Sequence, residues 1–255
     1  MLSSVHAPIA LAASHVLAAG SSGPSPLWYA TRATGVVALV LLTVTVALGV
    51  AGTTRLETQT MPRLVRSGLH RNVSLLAVAF VAAHVVTTVL DPYAGIGFIS
   101  AVIPFSSPYR PLWLSLGAVA SDMLLALVIS SLIRARLPYR AWRTVHWLGY
   151  ACWPVALWHG LGTGTDSRLS WLLLLDGACV VVVAAAAGRR LLQAPPSAVR
   201  AAGIVGISAF MLATSVFVLI GPLQPGWARR AGTPAPVSGT AHAASVPAGP
   251  AGGGA

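Results

Sequence analysis

Trp142-Arg-Thr-Val-His146-Trp-Leu-Gly-Tyr-Ala-Cys-Trp-Pro154-Val-Ala-Leu-Trp-His159-Gly160 is an apolar run with a histidine near either end, thirteen residues apart. An earlier run, from His70 to His84, repeats the arrangement at a spacing of fourteen. At about 1.5 Å rise per residue, each span sets its two histidines roughly 20 Å apart along a helix axis. Two such helices side by side therefore offer two His–His pairs, one toward each face of a membrane.

The composition of the whole chain places these runs in a bilayer. Of the 255 residues 56% are hydrophobic and only 8% charged, which excludes an ordinary soluble domain. All 16 basic residues are arginine, and the formal net charge is +11. With the Ala/Val/Leu/Gly bias, that usage reads as a bacterial chain from a high-GC genome, set in the plasma membrane. The arginines gather at the ends of apolar runs, as membrane anchors do, so no nucleic-acid partner is implied and the expected surroundings are lipid. Cys152 and Cys179 lie inside apolar segments and imply no disulfide framework.

Six apolar segments are long enough to span, at about 27–50, 68–90, 112–133, 139–161, 169–192 and 199–220. The second stops at Asp91-Pro92, a helix-ending pair. The loop after it has an apolar middle, 96–105, suited to the membrane surface. These segments predict an all-α six-helix membrane bundle. Its parts are an N-terminal segment (1–26), a core (27–192), an additional membrane helix (193–222) and a Pro/Gly/Ala-rich disordered tail (223–255). Loops after segments one, three and five hold most arginines, whereas the other two hold Arg110 and Arg168 alone. The positive-inside rule then puts both termini outside, His70 and His146 toward the cytoplasm, and His84 and His159 toward the exterior.

A polar ring in hydrocarbon needs a partner, and neutral imidazole ligates haem iron, so the four histidines are candidate ligands of two haems. Fourteen residues return to nearly the same helix face; thirteen do not, and a local unwinding at Pro154 is expected to supply the missing rotation. Pairs four turns apart do not form one four-histidine metal site. The histidines also fit a plainer role, bonding backbone carbonyls between helices. His6, His15 and His242 fall in the end segments and belong to no pair. Arg66, Arg71, Arg140 and Arg143 suit haem propionates or simple anchoring, and Arg32, inside the first segment, suits an anion. Asp122 and Asp176 suit pairing with Arg32 or a propionate, a neutral hydrogen-bonded state, or proton transfer near the outer haem. Ser74, Thr87 and Thr144 are candidate partners for the ligand rings. Trp142, Trp147, Trp153 and Trp158 fit packing on a flat macrocycle or an interfacial belt.

The fourteen- and thirteen-residue spacings, two helices apart, and the His159-Gly160 ending resemble the ferric reductase-like transmembrane domain. That superfamily includes ferric reductases, NADPH oxidases and the haem-binding subunit of bacterial methionine sulfoxide reductase systems. The resemblance covers about 28–192. It implies two b-type haems, His70 with His146 and His84 with His159, passing electrons outward. Arg32, Arg71 and Arg143, read from their positions, are the further candidate cofactor contacts. The reductases and oxidases continue into a cytoplasmic FAD and NADPH domain. Here Gln193-Ala194-Pro195-Pro196 leads into another membrane helix, and no Gly-rich dinucleotide fingerprint is present. Electrons are therefore expected from a separate flavoprotein or from quinol, with FMN, FAD or quinone on a partner or at the membrane surface. The extracytoplasmic redox acceptor stays open among ferric chelates, dioxygen, a methionine sulfoxide reductase partner and a flavoprotein. Other readings are a haem-free permease or assembly scaffold, or a haem protein serving as sensor or haem-transfer subunit.

Overall fold

The computed structural model describes residues 25–53, 63–92, 96–164 and 169–233. His6, His15, His242, Arg55, Asp166, Arg168 and the tail from 234 lie outside them. Among the described residues every regular element is helical and there are no strands. The long helices are α1 (Pro26–Thr53), α2 (Arg63–Leu90), α4 (Pro111–Leu132), α7 (Ser170–Gln193) and α8 (Ala198–Ile220). These five are long and apolar enough to cross a membrane. Between them lie α3 (Phe98–Val102), a 3-10 turn (Arg134–Arg136), α5 (Tyr139–His146) and α6 (Leu148–Thr163); α9 (Trp227–Arg230) closes the described chain.

Helix ends follow local chemistry. Proline opens α1 and α4, where its missing N–H is an orphan in any case. Helix α2 stops at Leu90 before Asp91-Pro92, and α7 stops before Pro195-Pro196. Ser197 then caps α8 by accepting the Arg200 backbone N–H. The apolar loop middle becomes α3, whose Phe98, Ile99 and Val102 side chains all stand exposed, as a surface-lying element requires.

The fourth segment is not one helix, which corrects the expectation for 139–161. It breaks at Trp147, whose backbone N–H reaches the carbonyls of both Arg143 and Thr144 at 3.2 Å. Pro154, expected to supply the unwinding, sits inside an unbroken α6. Helix α6 alone has 16 residues, about 24 Å, and is shorter than a hydrocarbon core of about 30 Å.

Helix α1 packs along α2, and α4 along α6; α1 also meets α6 and α7, and α8 lies beside α7. Leu42, Ala77, Trp153, Leu157, Leu161 and Cys179 form the shared core, with Leu157 fully buried. The Trp153 indole donates to Thr43 Oγ1 and the Trp158 indole to Thr214 Oγ1, so each buried N–H has a partner on a neighbouring helix. Large apolar side chains such as Leu75, Leu125, Leu174 and Leu212 face outward, as lipid-solvated helices do.

The disordered tail expected from 223 is corrected for 223–233. Residues 221–233 turn back over the end of the bundle, and Trp227 packs its ring 5.4 Å from Trp113. Arg110, read from the sequence as a sparse loop charge, holds this segment. Its side chain is 1% exposed; Nε donates to Thr233 Oγ1 at 2.8 Å and Nη1 to the Gly162 carbonyl at 2.8 Å. Its backbone N–H donates to the Gly232 carbonyl at 2.9 Å. Arg110→Ala is expected to cost about 2 kcal/mol or more, because buried acceptors lose a charged donor. Thermal unfolding in detergent measures the loss, and limited proteolysis should show 221–233 newly cleavable. Arg110→Lys should not restore stability, since one ammonium cannot reproduce the guanidinium fork.

Candidate functional site

The four histidines come together in two pairs. His84 of α2 and His159 of α6 face each other with ring centroids 6.2 Å apart and planes at 79°. His70 of α2 and His146 of α5 lie within electrostatic range of each other at the opposite end of the bundle.

Three of the rings are held in the same way. His84 Nδ1 is 2.8 Å from the Thr31 carbonyl, His70 Nδ1 3.1 Å from the Thr45 carbonyl, and His159 Nδ1 2.9 Å from the Trp113 carbonyl. A carbonyl only accepts, so Nδ1 carries the proton and Nε2 keeps its lone pair, the tautomer that a metal-ligating imidazole needs. Each carbonyl also stands four residues before a glycine: Thr31 before Gly35, Thr45 before Gly49, Trp113 before Gly117. In a helix, the side chain of residue i+4 lies back over the carbonyl of residue i. Glycine there uncovers the carbonyl and leaves room for the ring. A Cβ on Gly117 would come 2.5 Å from His159 Cε1, one on Gly35 3.0 Å from His84 Cε1, and one on Gly49 3.3 Å from His70 Cε1.

These glycines and carbonyls were not among the residues expected from the sequence. The signal was there: Gly35 and Gly49 are fourteen apart on α1, as His70 and His84 are on α2. Ser74, Thr87 and Thr144 do not hold the rings. Their hydroxyls donate to carbonyls of their own helices, those of His70, of Ala83 and His84, and of Arg140 respectively.

His146 is different. Its Nδ1 is buried without a hydrogen-bond partner, and its ring stacks on Trp142 at 4.7 Å and 21°. The Arg134 guanidinium covers the other part of this stack, 4.5 Å from the Trp142 ring.

The remaining expected residues are more dispersed. Arg32 lies over the Trp28 ring at 3.6 Å. Arg71 and Arg143 are exposed, on α2 and α5. Asp122 is exposed on the outer face of α4, and Asp176 lines a cavity of about 410 Å³ with Leu157, Leu161, Thr214 and Ser215. No group of three or more His, Cys, Asp or Glu side chains suited to a metal ion occurs among the described residues. Cys152 and Cys179 are free and buried.

The family is decided by the match of residues 34–157 to the ferric reductase like transmembrane component. This chain carries a ferric reductase-like transmembrane domain. The matched stretch includes His70, His84 and His146 and ends two residues before His159. No curated protein and no solved structure matches the chain. With its several long apolar helices, the ferric reductase-like chain is a multi-pass membrane protein.

The His84–His159 pair fits a haem. Two metal–imidazole bonds of about 2 Å, with about 1 Å from each nitrogen to its ring centre, separate two axial rings by about 6 Å. His84 and His159 already stand at that separation. The hydroxyls of Thr31 and Thr45, on the two α1 turns that hold the rings, are buried without a protein partner.

Alanine substitutions should rank by the space available. Gly117→Ala is expected to destabilise most, by about 1–3 kcal/mol, followed by Gly35→Ala and then Gly49→Ala. Gly52→Ala, whose Cβ meets nothing within 4 Å, should be neutral or mildly stabilising. Thermal unfolding of the four variants in one detergent checks the order.

Proposed function

We propose that this domain is a membrane b-type cytochrome that carries electrons between the two faces of the bilayer through two bis-histidine haems. The observation that carries this reading is the His84–His159 pair, 6.2 Å apart, each Nδ1 tied to a backbone carbonyl. A bound b-type haem supplies reversible one-electron chemistry at iron.

The protein's own part is positional. Thr31 and Trp113 carbonyls fix His84 and His159 so that Nε2 is the nitrogen offered to iron, and the Thr45 carbonyl does the same for His70. Trp142 sets the plane of His146 by stacking. The broken α5–α6 element is the sixth span of the bundle, its first turns at headgroup level. In the orientation that its arginines favour, His70 and His146 lie toward the cytoplasm, and His84, His159 and both chain termini toward the exterior.

The segments between the described helices are too short to fold a nucleotide-binding domain. The proposed electron donor is a separate flavoprotein or quinol, and the proposed acceptor is extracytoplasmic.

A dithionite-reduced minus oxidised spectrum of the purified protein, with a pyridine haemochrome count, tests this. About two low-spin b haems per chain are expected. His84→Ala and His159→Ala should each remove one haem and leave the other, and His70→Ala and His146→Ala should do the converse. Protein without Soret absorbance after expression with haem precursor would overturn the reading and favour a haem-free membrane role.

A further inference from the structure

We infer that the outer face of α5 is a binding site for the phosphate headgroup of an anionic phospholipid. Arg140, Arg143, Thr144 and Trp147 follow one another at helical spacings of three, four and seven from Arg140, so all four share one face. Together they line an open surface groove along that face. Neither the Arg140 nor the Arg143 guanidinium makes a hydrogen bond or ion pair with the described residues. The Thr144 hydroxyl gives its proton to the Arg140 carbonyl, and this holds it beside the guanidiniums without competing for them.

The charge of the site has one sign. The described acids are Asp91, Asp122 and Asp176, and none lies on α5 or on the 134–136 turn, which adds Arg134 and Arg136. A guanidinium pair with no internal counter-ion matches a phosphate, which accepts from planar donors two at a time.

Depth selects the lipid over other anions. Helix α6 falls short of the hydrocarbon thickness, so α5, joined to it at Trp147, stands at the level of the headgroups. Tyr139 and Trp147, at the two ends of α5, are 62% and 56% exposed, as interfacial aromatics are. A phosphate held by Arg140 and Arg143 leaves the acyl chains to run past Trp147 toward the bilayer. Basic pockets at helix ends bind acidic lipid headgroups by this combination of charge and depth.

The opposite face of α5 carries Trp142 and His146, which stack on each other. A headgroup on the outer face therefore clamps the short helix that positions His146. The lipid site itself does not depend on the haem reading.

Native mass spectrometry of the full-length protein in detergent, with phosphatidylglycerol or phosphatidylcholine added, tests the site. Phosphatidylglycerol should be retained, and the Arg140→Gln/Arg143→Gln double variant should retain it about tenfold less or worse. A charge-matched double variant, Arg136→Gln/Arg189→Gln, should retain it as the unmodified protein does. Equal retention of phosphatidylcholine, or equal losses in both double variants, would overturn the site. Displacement of the lipid by millimolar inorganic phosphate would overturn the lipid assignment in favour of a free-phosphate site. A second measurement needs no arginine variant: brominated phosphatidylglycerol, but not brominated phosphatidylcholine, should quench the fluorescence that Trp147→Phe removes. Equal quenching by both lipids would overturn the proposal.

Discussion

An imidazole inside a bilayer has one N–H that must be given to something, and the structure gives it to helix backbone. Three times a histidine Nδ1 pairs with a carbonyl, and three times the residue four positions further along is glycine. The carbonyl already accepts its own intrahelical bond, and the second lone pair becomes reachable because no side chain covers it. This arrangement costs no polar side chain in hydrocarbon. It also fixes ring orientation more stiffly than a rotatable hydroxyl would, because backbone inside a packed helix does not move. The close approach of α2 to α1 and of α6 to α4 follows from the same glycines.

The two ends of the bundle consequently differ in rigidity. At the His84/His159 end both rings are tied, and Arg110 pins residues 221–233 across the helix ends. At the other end only His70 is tied. His146 sits on an eight-residue helix bounded by Pro138 and the break at Trp147, and a tryptophan stack stands where the other three rings have a carbonyl. Stacking fixes the plane of a ring but leaves its rotation within that plane less determined than a hydrogen bond does. The element that positions His146 is thus the one most open to outside influence.

Much of this was legible in the sequence because the dominant signals were local. Apolar length, the Asp91-Pro92 stop and the Pro195-Pro196 break placed the long helices within a few residues, and the His spacings anticipated that His84 faces His159. What escaped depended on partners distant in the chain. Nothing near Arg110 announces that its guanidinium will be buried against Gly162 and Thr233, 52 and 123 residues away. Pro154 looked like the natural place for a break, yet a proline's kink depends on neighbouring packing, and here the helix yields at Trp147, the residue after His146, instead. Ser74, Thr87 and Thr144 bond their own helices because the carbonyl a turn back is always within reach.

The two spacings also explain why one histidine-bearing helix is continuous and the other broken. Fourteen residues are two heptads, the interval at which a helix wrapped around a neighbour returns to the same seam. Both members of the α1–α2 pair use it: Gly35 and Gly49 on one side, His84 and His70 on the other. Two identical cradles can therefore be built on unbroken helices. Thirteen residues are one short of that interval and leave the second ring rotated by about a quarter turn or more. A continuous helix could not serve both sites, and the extra rotation has to enter between His146 and His159. The break at Trp147 supplies it immediately beside His146, which leaves the α6 stretch that carries Trp153, Leu157 and His159 free to pack as regular helix against α4.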